Sequence, residues 1–279
     1  MTRRPRPSGS SRRWTERDAE SYLLGLELFG MRFGLDRMRR LLVALGEPQE
    51  RFGAVHVVGT NGKSSTVRMI AAILRAHGLR TGAYLSPHLV SFTERVRVDD
   101  RDLAPDLFAE AVRRAAAAAA KVDRTLPPDD GVTQFEALTA AAFWAMAEAG
   151  VDAGVIEAGL GGRWDATNVI GARVAVLTNV GLEHTRWLGP TVRDIAREKL
   201  AVVRDGGTLV VGADLHPDAL EEARAAAARH GARLVQAPAD PGVEVGAPGA
   251  YQQRNFALAR TAAAAYLRAI GREPAFDAV

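Results

Sequence analysis

From residue 54 onward, short runs of apolar and β-branched residues alternate with longer stretches in which apolar positions recur every three or four residues. This alternation predicts βα units feeding a largely parallel sheet flanked by helices, an α/β fold, because strands covered on both faces lose the polar half of a two-residue period. The expected strands are residues 54–58, 80–85, 153–158, 173–178, 208–212 and 233–236. Helices are expected over residues 63–77, stopped by Gly78, and from Pro105 through the six alanines 115–120, which favour helix by intrinsic propensity. Further helices are expected over 133–149 before Gly150, from a Thr191/Asp194 start to residue 204, from Pro217 to just before Gly231, and over 252–270 before Gly271. Residues 237–250, APADPGVEVGAPGA, read as a flexible Pro/Gly loop, and no internal repeat is visible.

Composition adds limits. The 279 residues, 47% of them hydrophobic, are enough for one large core, and no apolar run is long enough to span a bilayer. The absence of cysteine excludes disulfides, thiolate metal sites and a cysteine nucleophile. No secretory signal pattern follows the basic start, so the cytoplasm is the expected compartment. Much of the small +3 charge comes from Arg3, Arg4, Arg6, Arg12 and Arg13, set among Pro, Ser and Gly. Residues 1–16 are therefore expected to be a solvated tail, with neither nucleic acid nor a membrane as partner and a monomer as the working form.

In open α/β sheets ligands bind at the carboxyl ends of the strands, and four stretches fall there. The first is Gly59-Thr60-Asn61-Gly62-Lys63-Ser64-Ser65, between a strand and a helix. Glycines can turn backbone N–H groups toward an anion, and Lys63 and the helix N-terminus add positive charge. The usual phosphate-loop template fails at its first position, where Val57 stands instead of glycine, so an ordinary turn with an exposed lysine is the alternative. Second, Glu157 closes an apolar strand and is followed by Gly159, Gly161, Gly162, Asp165 and Asn168. A carboxylate there needs a cation, either a nucleotide-bound magnesium or an arginine.

Third is Gly181-Leu182-Glu183-His184-Thr185, ahead of a helix carrying Lys199. His184 is a ligand candidate or a packed residue, and Lys199 could simply extend its amine past an apolar helix face. Fourth is Ser86-Pro87-His88-Leu89 with the polar stretch 93–97 beyond. His56, His77, His216 and His230 are expected to be structural or exposed.

In this order the stretches resemble the folylpolyglutamate synthase and dihydrofolate synthase family, relatives of the Mur ligases. The matching strings are GTNGKSS (59–65), YLSPHLVSFTERVRV (84–98), TQFEALT (133–139), EAGLGGRWDATNV (157–169), GLEHTRWLG (181–189), IAREKLAVV (195–203) and YQQRN (251–255), spread over residues 17–271. The resemblance implies a Mur ligase central domain over 17–271 and ATP-dependent joining of L-glutamate to dihydropteroate or a folate through an acyl phosphate. It implies that Gly59, Thr60, Asn61, Gly62, Lys63, Ser64, Ser65 and Asn255 contact ATP, that Ser86, Glu157 and His184 hold magnesium, and that Lys199 helps a second magnesium as a carbamate. It also implies that Thr133, Phe135, Asp165 and Ala166 form the pterin pocket. Lys63, Glu157, His184 and Lys199 would then be the catalytic set.

Two departures qualify this picture. Ser64 stands where the family has glycine, as in Mur-type loops, which leaves room for a ligase acting on another acid. Residues 272–279 are expected to begin a linker to the family's smaller C-terminal domain, which leaves room for a non-catalytic ATP-binding module.

Overall fold

The computed structural model describes residues 12–26, 34–243, 245–246 and 248–276. Its centre is an eight-stranded sheet ordered β4-β3-β2-β5-β1-β6-β7-β8. The strands are β1 (Gly53–Val58), β2 (Thr81–Tyr84), β3 (Val96–Val98), β4 (Arg101–Asp102), β5 (Ala153–Glu157), β6 (Val174–Leu177), β7 (Thr208–Val211) and β8 (Arg233–Gln236). The pairs β2–β5, β5–β1, β1–β6, β6–β7 and β7–β8 are parallel, while β3 pairs antiparallel with both β2 and β4 and so alone runs against the rest. The expected parallel strands are all present, each within one residue of its expected ends.

The strand pattern works because both faces are covered. On one face Val55, Val57, Val155, Val174 and Val176 pack against α3 (Lys63–Ala76) and the helix at Ala250–Ala269. On the other face Ala54, Tyr84 and Ile156 meet a cluster built from Glu16–Leu24 (α1), Asp36–Ala44 (α2), Pro105–Asp123 (α4) and Gln134–Glu148 (α5). Farther along that face, Val58, Leu177 and Val211 meet Val192–Lys199 (α7) and Pro217–Arg229 (α8), past the single short turn Thr185–Leu188 (α6). The last long helix, Ala250–Ala269, is α9. No helix among the described residues is long and apolar enough to cross a membrane.

Several expectations need correction. Helices α1 and α2 and the β3–β4 hairpin were not expected. The hairpin turns through Asp99 and Asp100, both at positive φ, rather than through the Asn-Gly or Asp-Gly pair that usually signals such a turn. The expected tail over residues 1–11 lies outside the described residues, as do residues 277–279 of the expected linker. Residues 12–15, however, lead into α1, which begins at Glu16: Thr15 and Asp18 form a reciprocal capping box, and Arg12 pairs with Asp18 at 3.1 Å.

The helix expected to reach residue 204 stops at Lys199 and tightens into a 3-10 turn at Leu200–Val202. Its last carbonyls are engaged elsewhere. Glu198 O accepts the Arg163 N–H at 3.0 Å, and a Cβ on Gly162 would lie 2.5 Å from Lys199 O. The Gly162 backbone therefore seats against the helix end.

A buried cation ties the two halves of the α-helical cover together. Arg37 on α2 meets Glu136 on α5 at 3.2 Å, while the Glu136 carboxylate also accepts the Thr133 N–H and hydroxyl. Glu136→Ala is expected to lower the unfolding free energy by about 2 kcal/mol, because it leaves the buried Arg37 guanidinium with, among the described residues, Asp130 alone, 3.4 Å away, and takes the acceptor from the Thr133 N–H. Urea denaturation of the two proteins measures the loss.

Candidate functional site

The site forms where β1, β5, β6 and β2 end on one rim. After Val58 the chain must turn sharply under crowded conditions. Gly59 has φ +149° and a Cβ there would sit 1.9 Å from Thr178 Oγ1; Gly62 has φ +78° and a Cβ would sit 2.6 Å from Asn255 Oδ1. Both positions therefore require glycine. The β6 loop clamps the turn: Thr60 N–H donates to Asn179 O at 3.0 Å, Asn61 N–H to Asn179 Oδ1 at 2.9 Å, and Thr178 Oγ1 to Asn61 O at 2.7 Å. A loop held in this way keeps its N–H groups oriented before any ligand arrives.

Lys63 opens α3 and folds back, donating to Gly59 O and Thr60 O, each at 3.1 Å. Ser64 Oγ donates to Glu157 Oε1 at 3.1 Å, and Ser86 N–H donates to Glu157 Oε2 at 3.2 Å. Glu157 is 1% exposed, and among the described residues no arginine or lysine hydrogen-bonds it. Burial raises its pKa; the Ser64 and Ser86 bonds and the Lys63 charge oppose that rise, and Asp165 adds to it. The arginine partner weighed as an alternative is absent among the described residues.

Lys199 does not extend to solvent. It is 2% exposed and donates to Gly59 O at 2.9 Å and Glu183 Oε1 at 2.6 Å. Burial lowers its pKa against the pull of Glu183. Burial also pushes Glu183 upward, but the Lys199 bond and charge, with the Thr60 hydroxyl and the Lys63 charge, outweigh it, so the carboxyl titrates below its ordinary value. His184, next in the chain, is exposed, sits at φ +47° and starts the short α6 turn. Its imidazole makes no hydrogen bond among the described residues.

Thus the structure brings Lys63, Ser64, Glu157, the Ser86 backbone and Lys199 together around Gly59. Asn255 lies against Gly62, and Ser65 Oγ accepts from Gln252 Nε2 at 3.5 Å, so α9 covers the loop. The contacts of the expected pterin group differ from residue to residue. Phe135 and Asp165 flank Gly159, where a Cβ would lie 2.7 Å from Phe135 Cζ and 3.2 Å from Asp165 Oδ2, and Ala166, next after Asp165 in the chain, is buried. Thr133 instead spends its hydroxyl on the α5 cap, at 3.0 Å from Glu136. Glu183, Thr178 and Asn179 are site residues that sequence reasoning missed. Glu183 is explained by the burial of Lys199, a feature of the folded structure, since a buried ammonium demands an acid nearby.

A glycine-rich strand–loop–helix turn at the strand ends of a parallel sheet defines a phosphate-loop α/β domain. The Mur ligase middle domain model matches residues 57–241. A dihydrofolate synthase/folylpolyglutamate synthase of Bacillus subtilis is 38% identical over 216 residues, which is 77% of this chain and 50% of the relative. A folylpolyglutamate synthase complex with AMPPCP and folate superposes with a TM-score of 0.87 at 32% identity, covering 94% of this chain and 69% of the other. E. coli FolC in complex with DHPP and ADP superposes with a TM-score of 0.78 at 32% identity, over 98% of this chain and 65% of the other. The chain belongs to the Mur ligase family, in its folylpolyglutamate synthase and dihydrofolate synthase branch. It spans about half the length of the Bacillus subtilis relative.

The Lys199–Glu183 pair gives a pH signature. Glu183→Gln is expected to cost about 2 kcal/mol at pH 7, because a buried ammonium loses its charged acceptor. Lys199 then sheds its proton at lower pH than in the parent. The unfolded lysine binds that proton more tightly than the folded one, so raising the pH relieves the variant first. The deficit is expected to shrink between pH 7 and pH 9, as read by urea denaturation at both values.

Proposed function

We propose that this chain binds ATP on the Gly59–Ser65 loop and serves the ATP-dependent joining of L-glutamate to dihydropteroate or a folate through an acyl phosphate. One observation carries this reading: Glu157, buried at the strand end beside Lys63 and Ser64, has no cationic hydrogen-bond partner among the described residues. A hard-oxygen donor of this kind fits magnesium, which takes one or two carboxylates together with substrate phosphates and water. Glu157, with Ser86 and His184, would hold that ion, and when bound it supplies positive charge to the phosphate oxygens.

The chain's own groups do the rest. Lys63, whose only hydrogen-bond partners among the described residues are two carbonyls, can swing its ammonium to the terminal phosphate. Because the Thr60 and Asn61 N–H groups are already held by Asn179, the backbone N–H groups at the start of α3 are the ones that receive the other phosphate oxygens. Asn255 and Gln252 on α9 close the nucleotide side. Lys199 anchors Gly59, and a carbamate on it would set a second anion against Glu183, so that form requires an added cation between them. Phe135 and Asp165 offer a flat apolar wall and a carboxylate acceptor, which suit the ring and N–H donors of a pterin. The substrates are thus small molecules.

Calorimetry with Mg-ATP is expected to show binding that weakens about 10- to 100-fold in Lys63→Ala, the loss of one charge-assisted contact. Phosphate release is then followed with dihydropteroate, with folate and with an unrelated carboxylic acid, each with L-glutamate. Release that depends on the unrelated acid alone would sink the folate reading, and release without any acid would sink the ligase reading.

A further inference from the structure

His56 is a fully buried imidazole to which the nucleotide site gives no task. It lies on β1 between Val55 and Val57, which face α3 and α9, so it projects to the opposite face of the sheet. Its Nε2 is 2.8 Å from Thr167 Oγ1, and its Nδ1 has no partner among the described residues. Thr167 is itself fully buried, and its hydroxyl donates to Asp165 Oδ1, which also accepts the Thr167 N–H at 2.9 Å.

The proton directions follow from this chain of contacts. A hydroxyl has one proton, and here a carboxylate acceptor takes it. Toward the imidazole the Thr167 oxygen can then only accept, so Nε2 bears the ring proton and Nδ1 is bare. Burial, followed by the Arg204 charge, pushes the His56 pKa down to about 3, which keeps the ring neutral. Arg204 also grips the same turn from its other end, donating to Asn168 O at 2.6 Å and Asn168 Oδ1 at 2.8 Å. Asp165 is therefore mounted on a turn fixed at both ends. Its Oδ1 is taken twice by Thr167, whereas Oδ2 accepts the Leu160 N–H at 2.8 Å and lies on the Gly159 and Phe135 side.

We propose that His56 is a positioning residue: by donating to Thr167 it fixes the hydroxyl that occupies Asp165 Oδ1, so that Oδ2 is the oxygen presented beside Phe135 to an N–H donor of a flat heteroaromatic substrate. This rests on the pterin reading of the Phe135–Asp165 pocket. It extends the site along one face of the sheet to a residue on β1 that touches no ligand.

The test uses the full chain and 7,8-dihydropteroate, titrated by calorimetry alongside Mg-ATP. Thr167→Val, which keeps the side-chain shape, and His56→Leu are each expected to weaken dihydropteroate binding about tenfold and to leave ATP affinity within about twofold. The double variant is expected to lose no more than either single one, since both break the same relay. His56→Gln keeps an N–H donor and is expected to recover most of the affinity. Equal losses for both ligands, additive losses in the double variant, or no recovery by His56→Gln would overturn the proposal. Nitrogen-15 NMR of the His56 ring is expected to show the Nε2–H tautomer, and an Nδ1–H ring would also overturn it. If the parent chain takes no dihydropteroate, the substrate reading fails, and the imidazole spectrum still decides the relay.

Discussion

Two ammonium groups converge on one peptide oxygen: Gly59 O accepts from Lys63 at 3.1 Å and from Lys199 at 2.9 Å. Unit charges a few ångströms apart repel by about 4 kcal/mol in a protein-like dielectric, so the arrangement persists only if anions lie close by. Glu183 meets the Lys199 charge directly. Lys63 has only carbonyl oxygens to bond among the described residues, which leaves a full positive charge at the mouth of a loop rich in N–H groups. The rim is thus arranged for an anion, while Glu157 a short distance away is a buried carboxyl bonded to Ser64 and the Ser86 N–H, with no lysine or arginine hydrogen-bonding it among the described residues.

The sheet makes this convergence possible. Parallel neighbours end at the same rim, so loops far apart in sequence meet without long excursions. Val57 pairs in register with Glu157 and with Val176, which brings the β1, β5 and β6 loops side by side. The β6 loop then holds the β1 turn through Thr178 and Asn179, and the β5 carboxylate receives the Ser64 hydroxyl. Long-range register, rather than any single motif, sets the spacing of the charged groups.

Much of this was legible in the sequence, for identifiable reasons. Strands buried on both faces leave continuous apolar runs, and glycine or proline marks helix ends, so the parallel core could be laid out. Lys63 and Glu157 could be found because their chemistry is out of place beside apolar strands. The β3–β4 hairpin escaped notice because its turn uses two aspartates at positive φ, and α7 stopped early because the backbone at Gly162 and Arg163 engages its end. The partners Glu183 and Thr178 were illegible because their importance lies in contacts 16 and 117 residues away along the chain. Thr133 was assigned by its place in a motif, yet its hydroxyl caps a helix.

Both borders of the sheet are short and end in exposed polar or charged residues. At one, β4 is two residues long and both are charged and exposed, with Asp102 and Asp100 held by Arg97. At the other, β8 is four residues long and begins and ends with exposed Arg233 and Gln236. Short, charged margins offer few free backbone groups for another chain to zip onto. The folded molecule is in this way insulated against growth by strand addition, so amyloid-like association has to begin from chains that have already lost this sheet.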